Sequence, residues 1–412
     1  MTKLLTALSG KRAIRLSVSY GVRLLAVLGL MFSSLAMAEA EPAFTVHGFG
    51  TLGAARTTSE NVEFVRDISQ PRGARTKWDG RTDSVLGLQA NWRIAPELEA
   101  VVQGVSRYRY DRTFTPEIAW AYLKYDPTPA LSLRGGRLGT EFFMLADSRL
   151  VGYSYLTVRP PGDFFWYLPF YSIDGADAML TLPVGEDVLR GKVFYGISDG
   201  NIPLADRQWK IDGSPLMGAY LEYQHEAWLM RLSYANIKFR NSLPIAESFY
   251  AIPSFVLSPA EVRSSLDYLE TADTRSHYYS LGVVYDRGPW QFQFMLNRID
   301  QGSNAFQSSS GGYLLAGYRV GPVTPFLGYS WVDSDRRGKT MNFAVARVMA
   351  DSRSAQETTI VGARWDVARN IALKAQWDGI RGDPSSIFPY RREQAGWSGK
   401  LDVFSLTLDF VF

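Results

Sequence analysis

Charged side chains gather in and directly before one segment, residues 138–176. Among them are Arg137, Glu141, Asp147, Arg149, Arg159 and Asp163. Carboxylates and guanidinium groups held close together decide which ions pass a narrow opening, and arginine binds carboxylates and phosphates through paired hydrogen bonds. These residue types therefore predict a site that selects solutes without transforming them. The alternative is that each charge is simply solvated and has no special role.

The same segment contains a run of aromatic residues. They are Phe164, Phe165, Trp166 and Tyr167. Two interpretations of this run stay open: a stacking platform for sugars or aromatic-ring solutes, and a hydrophobic anchor that packs the segment against the rest of the protein. Nearby arginines would make a platform favour carboxylates or phosphorylated solutes.

Catalytic chemistry has few candidates in this sequence. The chain has no cysteine, which excludes a disulfide scaffold, a thiolate zinc site and a cysteine nucleophile, and its histidines are His47, His225 and His277. No Ser–His arrangement can be assembled from them, and Gly48-Phe-Gly50-Thr-Leu-Gly53 matches the dinucleotide-binding pattern without the helix that this pattern requires. We expect no enzymatic activity, no cofactor and no metal, with a hydrolase as the alternative.

The sequence predicts that the elements positioning these residues are β-strands. In residues 404–412 the apolar side chains occupy alternate positions and share one face, because successive side chains of a strand point to opposite sides. Residues 290–297 repeat the design, with aromatic residues and leucine on one face and polar residues on the other. An apolar face opposite a polar one is typical of a transmembrane barrel strand. An edge strand of a soluble sandwich would explain the alternation but not the apolar face at the terminus.

Residues 1–38 have the pattern of a secretory signal peptide. Basic residues lead into the apolar run 24–32, and small residues follow, ending in Ala36-Met-Ala38. Cleavage after Ala38 and cleavage after Ala40 fit equally well. Five positive charges lie in this segment, so the remainder has a formal charge of −2 instead of the +3 of the whole chain. The apparent basicity gives no reason to expect nucleic acid as a partner.

Residues 39–412 predict a single all-β domain, a transmembrane antiparallel β-barrel of about sixteen strands. Strands are expected at 44–54, 84–93, 98–108, 117–125, 131–137, 177–183, 188–197, 216–224, 228–239, 277–286, 290–298, 313–319, 325–333, 359–367, 371–379 and 400–412. Tight turns alternate with long loops between them. A closed barrel satisfies every backbone polar group within lipid, and one of this size leaves an aqueous channel.

Strand parity assigns charged side chains to the inner wall of this barrel. They are Arg107, Arg109, Glu117, Arg134, Arg190, Lys192, Arg231, Arg319, Arg364 and Lys374. Arg137, at the start of the long segment, is the best single candidate for the wall of the constriction. Basic wall residues opposite acids on the segment would produce a transverse field across the opening.

From Phe44 to Phe412 the chain resembles the Gram-negative general porins. The resemblance is carried by the opening Phe44-Thr-Val-His-Gly-Phe-Gly50, by Ser84-Val-Leu-Gly-Leu-Gln-Ala90, by Leu131-Ser-Leu-Arg-Gly-Gly-Arg137 and by the terminal Phe. It implies a sixteen-stranded trimeric pore whose third loop folds inward and narrows the channel. In this chain that constriction loop would be residues 138–176.

The resemblance and the pattern together predict a passive porin of the Gram-negative outer membrane, in contact with outer-membrane lipid and assembled as a homotrimer. Small hydrophilic solutes and ions would diffuse through it, with selectivity for sugars, carboxylates or phosphorylated solutes. The alternative is a non-conducting surface barrel, an adhesin or receptor whose extended loops, 199–214, 240–276 and 334–357, bind a partner.

Overall fold

Sixteen antiparallel strands form a closed barrel, in which consecutive strands pair and the first strand pairs with the last. The computed structural model describes residues 43–166, 168, 171–198, 200–204, 207–335, 340–383, 390–394 and 396–412. The barrel strands are β1 Phe44–Thr57, β2 Val85–Ala95, β3 Leu98–Arg107, β4 Glu117–Thr128, β5 Leu131–Gly139, β6 Ser172–Val184, β7 Asp187–Ser198, β8 Pro215–His225, β9 Trp228–Lys238, β10 Arg275–Arg287, β11 Trp290–Gln301, β12 Ser309–Tyr318, β13 Val323–Ser334, β14 Ala355–Ala368, β15 Ile371–Gly382 and β16 Lys400–Val411. The predicted fold class is confirmed, and each predicted segment overlaps one strand.

Side chains alternate between the two faces of the sheet as the sequence pattern predicts. In β16, Leu406 is exposed on the outer face and Asp409 is buried on the inner face. The pairing with β1 sets Leu52 opposite Leu408 and Thr51 opposite Asp409, so neighbouring strands carry apolar side chains on the same outer face. An outer surface of exposed apolar side chains is the face that a transmembrane barrel presents to lipid.

Seven tight turns join the strands at one end of the barrel. Gly288 and Gly321 lie in two of these turns with φ of 59° and 58°, a left-handed conformation that glycine adopts without steric cost. Because the strands are antiparallel, every long connection lies at the opposite end. We call the two ends the short-turn end and the long-loop end.

The long connections contain the helices. Within the described residues these are α1 Gly162–Phe165, α2 Ala246–Tyr250, α3 Pro259–Tyr268 and α4 Phe343–Asp351, with a 3-10 turn at Gly152–Ser154. None of the helices in these ranges has the length and apolar character that crossing a membrane requires. Two short strands outside the barrel, Glu63–Phe64 and Tyr390–Arg391, pair with each other and connect the first long loop to the last.

The connection between β5 and β6, residues 140–171, folds into the barrel, and we call it the inner loop. Its buried aromatic side chains pack against inward-facing residues of the strands, among them Phe194 of β7, Tyr278 of β10 and Tyr313 of β12. Burial of this apolar surface stabilises the loop inside the barrel. The predicted inward-folded third loop is confirmed. The predicted signal peptide, residues 1–38, and its two cleavage positions lie outside the described residues.

Candidate pore constriction

The inner loop folds into the barrel and contacts separate parts of its wall. Near its start, the Phe142 ring lies 5.1 Å from the ring of Tyr278 on β10, between centroids. Further along, Lys374 of β15 donates from Nζ to the carbonyl oxygens of Gly152 at 2.7 Å and Thr157 at 3.0 Å. Two separate strands of the barrel, β10 and β15, therefore hold the loop.

One cluster of charges joins the start of the inner loop to the wall, and we call it the wall cluster. It combines the basic side chains of Arg134, Arg190, Lys192 and Arg231 with the carboxylates of Glu141, Asp177 and Glu222. The basic residues face inward from β5, β7 and β9, as parity predicts. Glu141 is the member that the inner loop contributes. It is buried, as are Lys192, Asp177 and Glu222, whereas Arg134 and Arg190 are partly exposed.

The geometry of the wall cluster alternates basic and acidic groups. Arg134 donates to Asp177 at 3.0 Å and to Glu141 at 3.1 Å, and Lys192 contacts both carboxylates. Arg231 donates from Nε to Glu222 at 2.8 Å. Charge-assisted hydrogen bonds of this kind fix both partners in place. Asp177 was not among the predicted site residues, although the predicted strand 177–183 begins with it; the observed strand begins at Ser172.

Asp147 is the acid of the inner loop whose side chain remains accessible to solvent. Its side chain is exposed, and the surrounding protein still desolvates its carboxylate. Its enclosed surroundings and the nearby charge of Glu141 raise the pKa of Asp147, while Arg231 and Lys192 act in the opposite direction. Asp147 therefore lies within electrostatic reach of the wall cluster.

Arg137 does not lie on the inner wall, and that prediction is wrong. Strand β5 continues two residues beyond its predicted end, so Arg137 still lies within the strand. It faces outward, as Leu133 does, while Arg134 points inward. On the outer face Arg137 donates from Nε to Asp174 of β6 at 2.7 Å. In the next strand Asp174 is opposite Ile197, which is also exposed on the outside.

Arg159 and Asp163 attach the inner loop to the wall instead of lining an opening. The Arg159 guanidinium is buried and donates to Asp83 at 2.7 Å and 2.9 Å and to Asp378 of β15 at 2.7 Å. Asp163, at the start of α1, accepts hydrogen bonds from Ser330 and Gln356, both at 2.6 Å. Burial raises the pKa of Asp163 to about 6. A buried charge requires such partners.

Arg149 is buried inside the inner loop. Its guanidinium lies 3.9 Å from the centroid of the Tyr171 ring and donates to the carbonyl oxygen of Leu168 at 2.8 Å. Arg107 of β3 also lies over this ring, at 3.8 Å, so two guanidinium groups contact one aromatic side chain. The expectation that Arg149 faces the opening is therefore wrong, since the residue stabilises the last part of the loop.

The aromatic run agrees with the anchor interpretation at two positions. Phe164 and Phe165 are buried, and the Phe164 ring lies 4.8 Å from Phe143 and 5.3 Å from Tyr313, between centroids. Trp166 is buried too, but it borders a cavity at the long-loop end. Tyr167 lies outside the described residues.

The remaining predicted wall residues fall into separate groups. Arg364 and Lys374 face the inner loop from β14 and β15, and Lys374 lies 3.2 Å from Asp409. Arg109 lies beyond the end of β3, where it contacts Glu117 together with Arg107. Arg319 lies in a tight turn at the short-turn end and donates to Asp286 at 2.6 Å. The predicted wall residues therefore do not meet at a single constriction.

Comparison with known proteins identifies the fold. No known sequence family and no curated protein matches the chain. Among solved structures, the anion-selective porin from Comamonas acidovorans has a TM-score of 0.55 at 13% identity, covering 90% of this chain and 100% of that one. OmpF of Salmonella typhi, in complex with daunomycin, gives 0.55 and 13%, covering 90% and 97%. The outer membrane channel DcaP of Acinetobacter baumannii gives 0.52 and 13%, covering 92% and 100%. The chain has the sixteen-stranded fold of the Gram-negative outer-membrane porins.

Proposed function

We propose that the chain is a passive porin of the Gram-negative outer membrane, through which small hydrophilic solutes and ions diffuse down their gradients. The observation that carries the proposal is the wall cluster, in which Glu141 of the inner loop pairs with Lys192 and Arg231, with exposed Asp147 within electrostatic reach of the same two basic residues. Charges arranged in this way inside a barrel select solutes at close range. The outer face, rich in exposed apolar side chains, supports the location in lipid.

The test is conductance of the refolded protein in a planar bilayer. We expect discrete current steps in potassium chloride and a reversal potential under a salt gradient that changes when charges of the wall cluster are removed. A silent bilayer, with the barrel shown to be folded by its circular dichroism, would contradict the proposal.

Selectivity among organic solutes is part of the same proposal. The wall cluster combines several guanidinium groups with carboxylates, so a solute with a carboxylate or a phosphate competes with the internal acids for the same donors. We propose passage of sugars, carboxylates or phosphorylated solutes, to be ranked by liposome swelling. The chain performs no chemistry on them, and residues 1–38 act as the signal peptide that directs export.

We further propose a homotrimer, supported by the outer face of β5 and β6. Arg137 and Asp174 form an ion pair there, and the neighbouring outward positions are small, since Gly135 pairs with Ala176 in the sheet. Charged side chains on a lipid-facing surface are costly, whereas a protein neighbour can cover small residues closely. Light scattering of the protein in detergent measures the number of chains.

A surface receptor or adhesin is the second candidate function, and one observation favours it. In the long connection between β9 and β10, the Phe255 side chain is 89% exposed and adjacent Val256 is 46% exposed. Exposed apolar side chains at a loop tip are typical of contact surfaces. Binding of a partner by this loop, together with a silent bilayer, would favour the receptor over the porin.

A further inference from the structure

A cavity lies at the long-loop end, on the outer side of the inner loop. Its volume is 1180 Å³, and Trp166 of the inner loop and Tyr278 of β10 are among the residues that line it. Most of the remaining lining comes from the long loops. We call this cavity the outer vestibule. Because it borders the inner loop, a solute that enters from the long-loop side meets it before the candidate constriction.

One wall of the outer vestibule is aromatic. Trp209, Phe239 and Phe306 contact one another, with centroid separations of 4.9 Å for Trp209–Phe239 and 5.4 Å for Trp209–Phe306. The Trp209 indole N–H donates to the carbonyl oxygen of Asn241 at 3.2 Å, so its polar atom is already satisfied. These rings present an apolar surface against which a flat, apolar body can pack.

The polar part of the lining is dominated by arginine. Among the described residues it contains Arg72, Arg112, Arg207, Arg347, Arg391 and Arg392 against two carboxylates, Asp351 and Glu393. Three of the arginines have an acidic partner: Arg72 pairs with Glu63, Arg207 with Glu247 and Arg347 with Asp351. The lining therefore carries an excess of positive charge beyond these pairs.

Arg391 contributes to the excess positive charge of the lining, and its guanidinium is held in a fixed position. Its guanidinium donates to the carbonyl oxygens of Ile68 at 2.7 Å, Gln70 at 2.9 Å and Tyr390 at 3.1 Å. These acceptors are neutral, so they orient the guanidinium without cancelling its charge. Arg112 and Arg392 are exposed and line the same cavity.

We infer that the outer vestibule binds organic anions with an aromatic body, above all aromatic carboxylates, on their way to the constriction. The inference rests on the proposed porin function and names its solute class. A carboxylate matches the guanidinium groups through paired hydrogen bonds, and the ring matches the Trp209 wall. A sugar would leave its hydroxyl groups against an apolar surface, where unpaired polar groups are costly.

The chain offers a conservative way to remove two of the charges. Arg112 and Arg392 have φ of 63° and 54°, and asparagine is one of the residues that adopt this left-handed conformation readily. The double variant Arg112→Asn/Arg392→Asn therefore removes both guanidinium groups without straining the backbone. The matched control is Arg263→Gln/Arg287→Gln, since both residues are exposed, lie outside the vestibule lining and carry the same total charge.

The experiment titrates the refolded protein in detergent with 1-naphthoate by isothermal calorimetry, with acetate and uncharged 1-naphthylmethanol as comparisons. We expect 1-naphthoate to bind more tightly than either comparison, and the Asn double variant to weaken its binding at least about tenfold, the order lost with two charge-assisted contacts. The control variant is expected to bind like the original chain. Equal affinity for 1-naphthoate and 1-naphthylmethanol, or an unchanged affinity in the Asn variant, would overturn the inference.

Bilayer recordings separate this inference from the porin proposal. Current that 1-naphthoate blocks, with weaker block in the Asn variant, supports both. Current together with absent 1-naphthoate binding and block contradicts the vestibule site and leaves the porin intact. Binding of 1-naphthoate by a folded protein that carries no current supports the site and contradicts the porin.

Discussion

Arg159 of the inner loop donates a hydrogen bond of 2.7 Å to Asp378 of β15, and both side chains are buried. The same guanidinium is held by Asp83, two residues before β2, in a two-bond contact. Removing one partner from a buried ion pair is much more destabilising than replacing both, because the remaining charge is left without a partner. The Arg159 contacts therefore determine where this part of the inner loop lies across the barrel.

Replacing Arg159 should release the loop. In Arg159→Met, Asp83 and Asp378 remain buried without their guanidinium, and we expect the free energy of unfolding to fall by about 3–5 kcal/mol. Urea titration in detergent, followed by intrinsic fluorescence, measures this loss. The triple variant that adds Asp83→Asn and Asp378→Asn should recover part of it. Equal stability of all three proteins would show that these charges do not hold the loop.

The attachment of α1 should depend on pH through Asp163. Its pKa is raised to about 6 by burial, above the ordinary value of 3.8, so the folded protein binds more protons than the unfolded chain between these values. The contribution of Asp163 to the free energy of unfolding is therefore complete at low pH and is lost as the pH rises through about 6. We expect amide exchange in residues 162–166 to accelerate between about pH 4 and pH 6, after correction for the intrinsic rate. Asp163→Asn should abolish this dependence, and persistence of the dependence in that variant would assign it to another group.

Ion preference should respond in opposite directions to the two signs of charge in the wall cluster. Arg231→Gln leaves Glu222 and Glu141 with fewer positive neighbours and should shift permeation toward cations, whereas Glu141→Gln should shift it toward anions. We expect changes of about twofold or more in the permeability ratio, since charges lining a narrow opening act at short range. Reversal potentials under a salt gradient measure them. Shifts of the same sign in both variants would place the cluster away from the conduction path.

The outer ion pair should act on assembly. In Arg137→Ala/Asp174→Ala the barrel keeps its inner wall unchanged, so single-channel conductance should persist while the trimer dissociates at a lower detergent concentration than the original. Light scattering and cross-linking follow the dissociation. If the pair faces lipid instead, its removal should stabilise the protein in bilayers, because charges on a lipid-facing strand are costly.

The barrel strands could be predicted because each one repeats the same local rule. Residues 290–298 needed only the alternation of apolar and polar side chains, and the observed β11 extends that range by three residues. The tight turns followed from glycine, proline and asparagine between such segments. Long-range pairing was not required to recognise any of these elements.

The roles of the charged residues could not be predicted in the same way. Arg137 ends the predicted strand 131–137 and has the outward parity of Leu133, so its assignment to the constriction loop placed it on the wrong face. Arg159 and Asp163 have the same residue types as constriction charges, but their partners Asp378 and Ser330 lie more than 150 positions away. A loop of about thirty residues has no periodicity from which such contacts could be read.

Thr51 of β1 and Asp409 of β16 are hydrogen-bonded across the seam of the barrel, although they are 358 positions apart in the chain. Loop closure over such a separation is slow, because the entropy of bringing the ends together is lost before the contact forms. Until that seam forms, the sheet has two unpaired edges, which invite pairing with other chains. Pairing of β1 with β16 removes both edges at once, so closure of this seam is the step that ends the exposure of the sheet to other chains.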